Sequence, residues 1–193
     1  MKRILVSLAV SLGMAVCLTS CNYNSLVEEQ ESVEGAWAEV QNQYQRRLDL
    51  IPNLVNTVKG YAEHEQNTLN MVTSARTKAG SIQLSVDDLD DESLAKFQKA
   101  QDELSHGIGR LLAVAEAYPD LKANQNFLQL QDQLEGTENR IAVARRNFNE
   151  AARAFNANIR KFPTVIYAGW FGFKRKPYFE SQSGAEYAPE VKF

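Results

Sequence analysis

Cysteine is nearly missing from this sequence: Cys17 and Cys21 are the only two, and both lie near the N-terminus. A disulfide framework for the rest of the chain is thereby excluded. Histidine is as scarce, with His64 and His106 alone, which leaves little for a histidine-rich metal site. No Gly-x-Ser-x-Gly elbow and no phosphate-cradling glycine loop occurs, so common hydrolase and nucleotide-binding signatures are absent. Five prolines and ten glycines are spread along 193 residues, which argues against a long low-complexity linker. Basic excess is missing as well. The formal net charge is −3, whereas a nucleic-acid partner normally shows as a basic domain.

What is present begins with the N-terminus. Lys2 and Arg3 precede Ile4–Leu18, an uncharged and mostly apolar stretch. It is shorter than the ~20 residues of a spanning helix and suits the h-region of a secretion signal. It ends in Leu18-Thr19-Ser20-Cys21, the pattern of a lipobox. Residues 1–20 are therefore expected to be removed, with Cys21 carrying the lipid. Loss of Lys2 and Arg3 would take the charge from −3 to −5. More than one acyl chain gives stable anchoring. Asn22 follows the cysteine; it is not the aspartate of inner-membrane retention. The expected location is the extracytoplasmic face of a membrane, the outer membrane in a host that has one.

Helical periodicity follows almost throughout. A first stripe runs Val33, Trp37, Val40, Tyr44 and ends near Leu48. Asp49 and Pro52 read as a restart, with Asp49 as N-cap and Pro52 in the first turn. A second stripe runs Ile51, Val55, Val58, Ala62, Glu65, Leu69, Val72, Arg76 and stops near Gly80. After an acidic loop comes a third: Leu94, Phe97, Gln101, Leu104, Ile108, Leu111, Ala115, Tyr118, broken by Pro119. In the fourth, Phe127, Leu134, Ile141, Phe148, Phe155 and Phe162 recur every seven residues, the rhythm of coiled-coil packing. Asp120 to Phe162 as one helix would span roughly 60 Å. The pattern predicts an all-α fold: an antiparallel four-helix bundle over residues 21–163, with long coiled-coil-like helices and an irregular aromatic and basic tail over 164–193. Up-down-up-down topology brings the tail to the end of the bundle where helix 1 starts. Its Tyr167, Trp170, Phe171 and Phe173 are expected to cap the base of the bundle; the alternative is that they and Lys174, Arg175 and Lys176 after them meet a lipid headgroup region.

The run Arg47-Leu-Asp-Leu-Ile-Pro-Asn-Leu-Val, then Lys59-Gly-Tyr-Ala-Glu-His-Glu, resembles the LemA family. So do Glu116-Ala-Tyr-Pro-Asp-Leu-Lys and Glu138-Asn-Arg-Ile-Ala-Val-Ala-Arg-Arg-Asn-Phe-Asn, continuing to Phe155-Asn and Phe162-Pro. The resemblance covers most of residues 24–180. It implies a helical bundle held at a bacterial membrane, with no enzymatic activity to be assumed. Many relatives keep an uncleaved N-terminal transmembrane helix, and this chain departs from them in its lipobox.

Charged residues interrupt the stripes. Glu65 and Arg76 fall on the second seam, Glu116 near the end of the third, Glu138 and Arg145 on the fourth. Seam charges are costly unless paired, so these five form the candidate interior polar network. Ion pairing that sets register is the first reading; a buried ligand or metal site is the second. Glu103 and His106 supply one Glu-x-x-His motif, but a di-metal bundle needs two. The acidic stretch Asp87–Glu92 lacks the spacing of a calcium loop and reads as a solvated loop with capping carboxylates. Asn149 and Asn156 repeat at seven residues and suit either cross-bundle bonding or a partner-facing ladder. No catalytic set, no metal and no cofactor is expected. The expected role is a non-enzymatic, membrane-tethered scaffold that binds an envelope protein, not nucleic acid. The alternative is a small-ligand or metal-binding bundle built on the interior Glu and Arg residues.

Overall fold

The computed structural model describes residues 2–62 and 64–180, with side chains from Tyr23 onward. Four long helices dominate: α1 (Lys2–Lys59), α2 (Gln66–Ser81), α3 (Asp91–Val114) and α5 (Gln125–Asn158). Two short ones, α4 (Pro119–Lys122) and α6 (Thr164–Tyr167), sit at the ends of the bundle. No strand occurs among the described residues. The fold is an all-α bundle, as the stripes predict. Side-chain bonds give its direction. Glu29 meets Asn158 and Arg47 meets Glu138, so α1 and α5 run antiparallel. Lys78 meets Glu103 and Met71 meets Arg110, so α2 and α3 do too.

The first helix boundary differs from the sequence expectation. No restart occurs at Asp49; α1 passes through Pro52 and continues to Lys59. Proline has no N–H, so inside a helix it orphans the carbonyl four residues earlier. Here that carbonyl belongs to Leu48, and Arg76 Nε of α2 donates to it at 2.9 Å. Asp49 is not a cap; its carboxylate accepts from Gln45 at 2.7 Å. The chain turns instead just after Lys59. Tyr61 N–H bonds back to Val58, and buried Ala62 pins the turn.

The last helix is also shorter than predicted. Asn124 caps α5 by accepting from Phe127 N–H at 3.0 Å, which separates α5 from α4. At the far end α5 stops at Asn158, and Phe162, placed on the seam by its heptad position, is 81% exposed. Pro163 follows it, and the residue before a proline is pushed out of the helical region. The 34 residues of α5 span about 51 Å.

The core has two parts. One contains Trp37, Tyr44, Phe97, Phe148, Phe155 and Phe179; the other contains Ile51, Leu54, Val72, Leu104, Leu111 and Leu134. The second part is walled by all four long helices. In the first, α2 has ended, and extended chain closes the space instead. Leu84 and Val86 pack on one side, Phe173 and Tyr178 on the other. Trp37 Nε1 and Gln41 Nε2 both donate to Leu84 carbonyl, at 3.0 and 2.9 Å. No helix among the described residues is long and apolar enough to cross a membrane.

Candidate functional site

Between the two cores lies a polar layer. Arg47 of α1 is 1% exposed. Its Nη1 donates to Ser105 Oγ at 2.7 Å and to Glu138 Oε1 at 2.8 Å. Its Nη2 donates to Gln101 Oε1 at 2.5 Å and to the Gln101 carbonyl at 3.1 Å. The guanidinium also lies 5.0 Å from the Tyr44 ring centre. One cation thus joins α1, α3 and α5, with buried Gln101 and Thr137 completing the layer. Burying a charge is costly, and removing one partner leaves it uncompensated. The arrangement therefore selects one helix register over others. Burial raises the Tyr44 pKa above its usual 10.0, while the guanidiniums of Arg145 and Arg47 oppose that shift.

The predicted interior network is dispersed. Glu138 belongs to the Arg47 layer, although its side chain is 45% exposed. Arg76 serves the carbonyl that Pro52 orphans. Glu116 is exposed and pairs with Lys122 on the surface at 2.5 Å. Glu65 sits at the start of α2, half-buried, with no side-chain cap bond. Arg145 donates to the Glu180 carbonyl at 2.7 Å and lies 4.8 Å from the Phe179 ring centre. The five do not converge on one site. The side chain of Cys21 lies outside the described residues.

The sequence carries a signal for Arg47. It follows Tyr44 by three, so the three-and-four rhythm of the first stripe runs through it. An arginine inside an apolar stripe is the signal.

Asn149 and Asn156 resolve into a clamp. Asn156 Nδ2 donates to the Lys176 carbonyl and its Oδ1 accepts from Lys176 N–H, both at 2.8 Å. Asn149 does the same with Phe179, at 3.0 and 2.9 Å. The spacing explains the fit. Seven helical residues rise about 10.5 Å, and three extended residues cover about 10 Å. Residues 173–180 therefore form a strap along α5. Phe179 enters the core against Trp37 and Phe148, and Lys176 Nζ reaches the Val86 carbonyl at 2.9 Å.

The remaining polar candidates are engaged elsewhere. Asp90 caps α3 in a capping box with Ser93, whose backbone and hydroxyl hold its carboxyl below the ordinary range. Glu103 pairs with Lys78 at 2.6 Å, which lowers its pKa. Glu103 and exposed His106 border an open surface hollow of about 590 Å³ with Met71, Lys78 and Arg110. No group of three or more potential metal ligands occurs among the described residues.

Comparison with known proteins finds relatives along most of the chain. The LemA family model matches residues 36–193. Protein LemA of Metamycoplasma hominis is 30% identical over 75% of this chain. Magnetosome protein MamQ of Magnetospirillum gryphiswaldense is 26% identical over 93% of the chain and 73% of its own length. Magnetosome protein MamQ 2 of Paramagnetospirillum magneticum is 27% identical over 85% of the chain. The chain spans 63% of the Metamycoplasma protein and 66% of the Paramagnetospirillum protein.

Proposed function

The chain belongs to the LemA family, and on that premise we propose that it is a lipid-anchored helical scaffold of the cell envelope that holds a protein partner. The observation that carries this reading is the short distance between anchor motif and bundle. Leu18-Thr19-Ser20-Cys21 lies within α1, and Leu26, five residues further along the same helix, is fully buried in the core. A bundle so attached stands on the bilayer without a flexible tether. The use of the interior polar groups supports a scaffold role. Arg47, Arg76, Asn149 and Asn156 each join one segment of the fold to another. Rigid positioning of an outer face is what such joints provide.

Two measurements test this. Mass spectrometry of the protein taken from membranes should find a mature N-terminus at Cys21 carrying acyl chains. Cys21→Ser should retain residues 1–20. An unmodified Cys21 removes the anchor. In-cell crosslinking from the exposed positions Val143 and Leu128 of α5 should recover the same envelope protein reproducibly; recovery of none removes the scaffold role.

A further inference from the structure

The tail was expected to cap the base of the bundle, and it divides. Tyr167 is buried and Phe173 packs on the core. The rest of the same turn faces solvent: Trp170 is 82% exposed, Phe171 61%, and Val165 and Ile166 54% each. With Phe162 these make an apolar face on one short stretch. A cluster of large exposed apolar residues marks an interaction surface.

Two observations say what covers it. The first is position. Phe171 and Phe173 rest edge-on against Tyr23, with ring centres 5.1 and 5.8 Å away. Tyr23 is two residues from Cys21. The second is charge. From Ala151 to Phe179 there is no aspartate or glutamate, while Arg160, Lys161 and Lys174 are exposed in that span. The acids of α1 begin at Glu28, about 10 Å further along the helix from Cys21. Positive charge and exposed aromatics therefore collect at the end where the chain meets its anchor motif. Indole and phenyl rings beside cations match the headgroup layer of an anionic bilayer.

We propose that the turn over residues 162–171 is a membrane-contact surface that seats Trp170 and Phe171 among anionic phospholipid headgroups. The proposal rests on the anchor reading for its distance from the bilayer. It adds orientation. A lipid on Cys21 alone is a pivot, whereas a second contact through the turn sets the tilt of the bundle. The turn is stiff enough for this. Tyr167 and Thr164 hold its inner side, and the asparagine clamp fixes the strap that follows.

The two tryptophans make the test direct. Trp37 is buried and serves as a fixed background; Trp170 is exposed and reports. The full-length protein from bacterial membranes is placed in phosphatidylcholine vesicles with phosphatidylglycerol, and Trp170→Phe isolates the signal by difference. The expected result is a blue shift of Trp170 emission, severalfold protection from iodide, and quenching by headgroup-level spin-labelled lipid. Lys161→Gln and Lys174→Gln should each weaken the docked state about fivefold. Iodide reaching Trp170 as freely as it reaches free tryptophan overturns the proposal. Mass spectrometry of Cys21 in the same sample decides the anchor separately. An acylated chain with a water-exposed Trp170 keeps the anchor and loses this surface; a protected Trp170 on an unacylated chain does the reverse.

Discussion

Between Leu26 and Tyr44, α1 packs on aromatic rings; between Leu48 and Val58 it packs on leucine, valine and alanine. Seven of fifteen buried residues in the first cluster are aromatic, against Phe127 alone in the second. The difference follows the walls. Beyond Arg47 four helices interlock, and aliphatic side chains fill regular grooves between ridges. Below it α2 is gone, and the loop over 82–90 with the extended strap over 173–180 closes the space. Extended chain offers no helical ridges, so large rings fill the irregular gap and meet edge to face. Trp37 meets Phe97 in this way at 5.6 Å, and Phe148 meets Phe179 so at 5.5 Å. The lesson is that one helix pattern can support two interiors, joined by a polar layer that sets their register.

The sharpest break of that comparison is Phe148→Ala. It should cost about 4 kcal/mol by chemical denaturation and speed amide exchange over 173–180. Leu111→Ala should also destabilise, yet leave exchange in the strap unchanged. Equal loosening of the strap by both would show that the two cores are one unit.

The joint itself comes next. Glu138→Ala leaves a buried guanidinium without its carboxylate and should cost about 3 kcal/mol. Arg47→Met should cost less, because Glu138 is half exposed and water can solvate it. Urea midpoints rank the two, and the opposite order would deny that Arg47 is the costly partner. Asn156→Ala strips a buried N–H and carbonyl of Lys176 of their partners and should cost about 2 kcal/mol, with the loss confined to the aromatic half.

Smaller effects sharpen the aliphatic half and the layer. Arg76→Met should cost about 1 kcal/mol, and nearly nothing in a Pro52→Ala background, where residue 52 can bond Leu48 itself. A double-mutant cycle reads the difference; an additive cycle would uncouple Arg76 from the proline. Tyr44 gives the smallest effect. Its folded pKa is raised, so the unfolded chain releases the phenolic proton first. Stability should fall as pH rises above 10.0, its usual value. Tyr44→Phe should flatten that part of the thermal stability curve.

Much of this was legible without coordinates. Val33, Trp37, Val40 and Tyr44 read as a stripe and are buried; so are five of the six heptad residues from Phe127 onward. The stretch Asp87–Glu92 was legible as a loop with capping carboxylates, and Asp90 is the one that caps α3. The helix ends were not. Asp49 and Pro52 carry the local signature of a start, yet Arg76, 28 residues from Leu48, cancels it. The interior charges misled for a related reason: position on a stripe says which face a residue occupies, not how far its long side chain carries the charge toward water.

The sequence by itself determined the all-helical class and most of the core positions, because apolar periodicity is a local property of the chain. Only the tertiary structure decided where α1 ends, which arginine is buried and what the asparagines hold. Those outcomes depend on hydrogen-bond partners far away in sequence, and a carbonyl orphaned at Leu48 or an extended strap at Lys176 has no partner until the fold brings one.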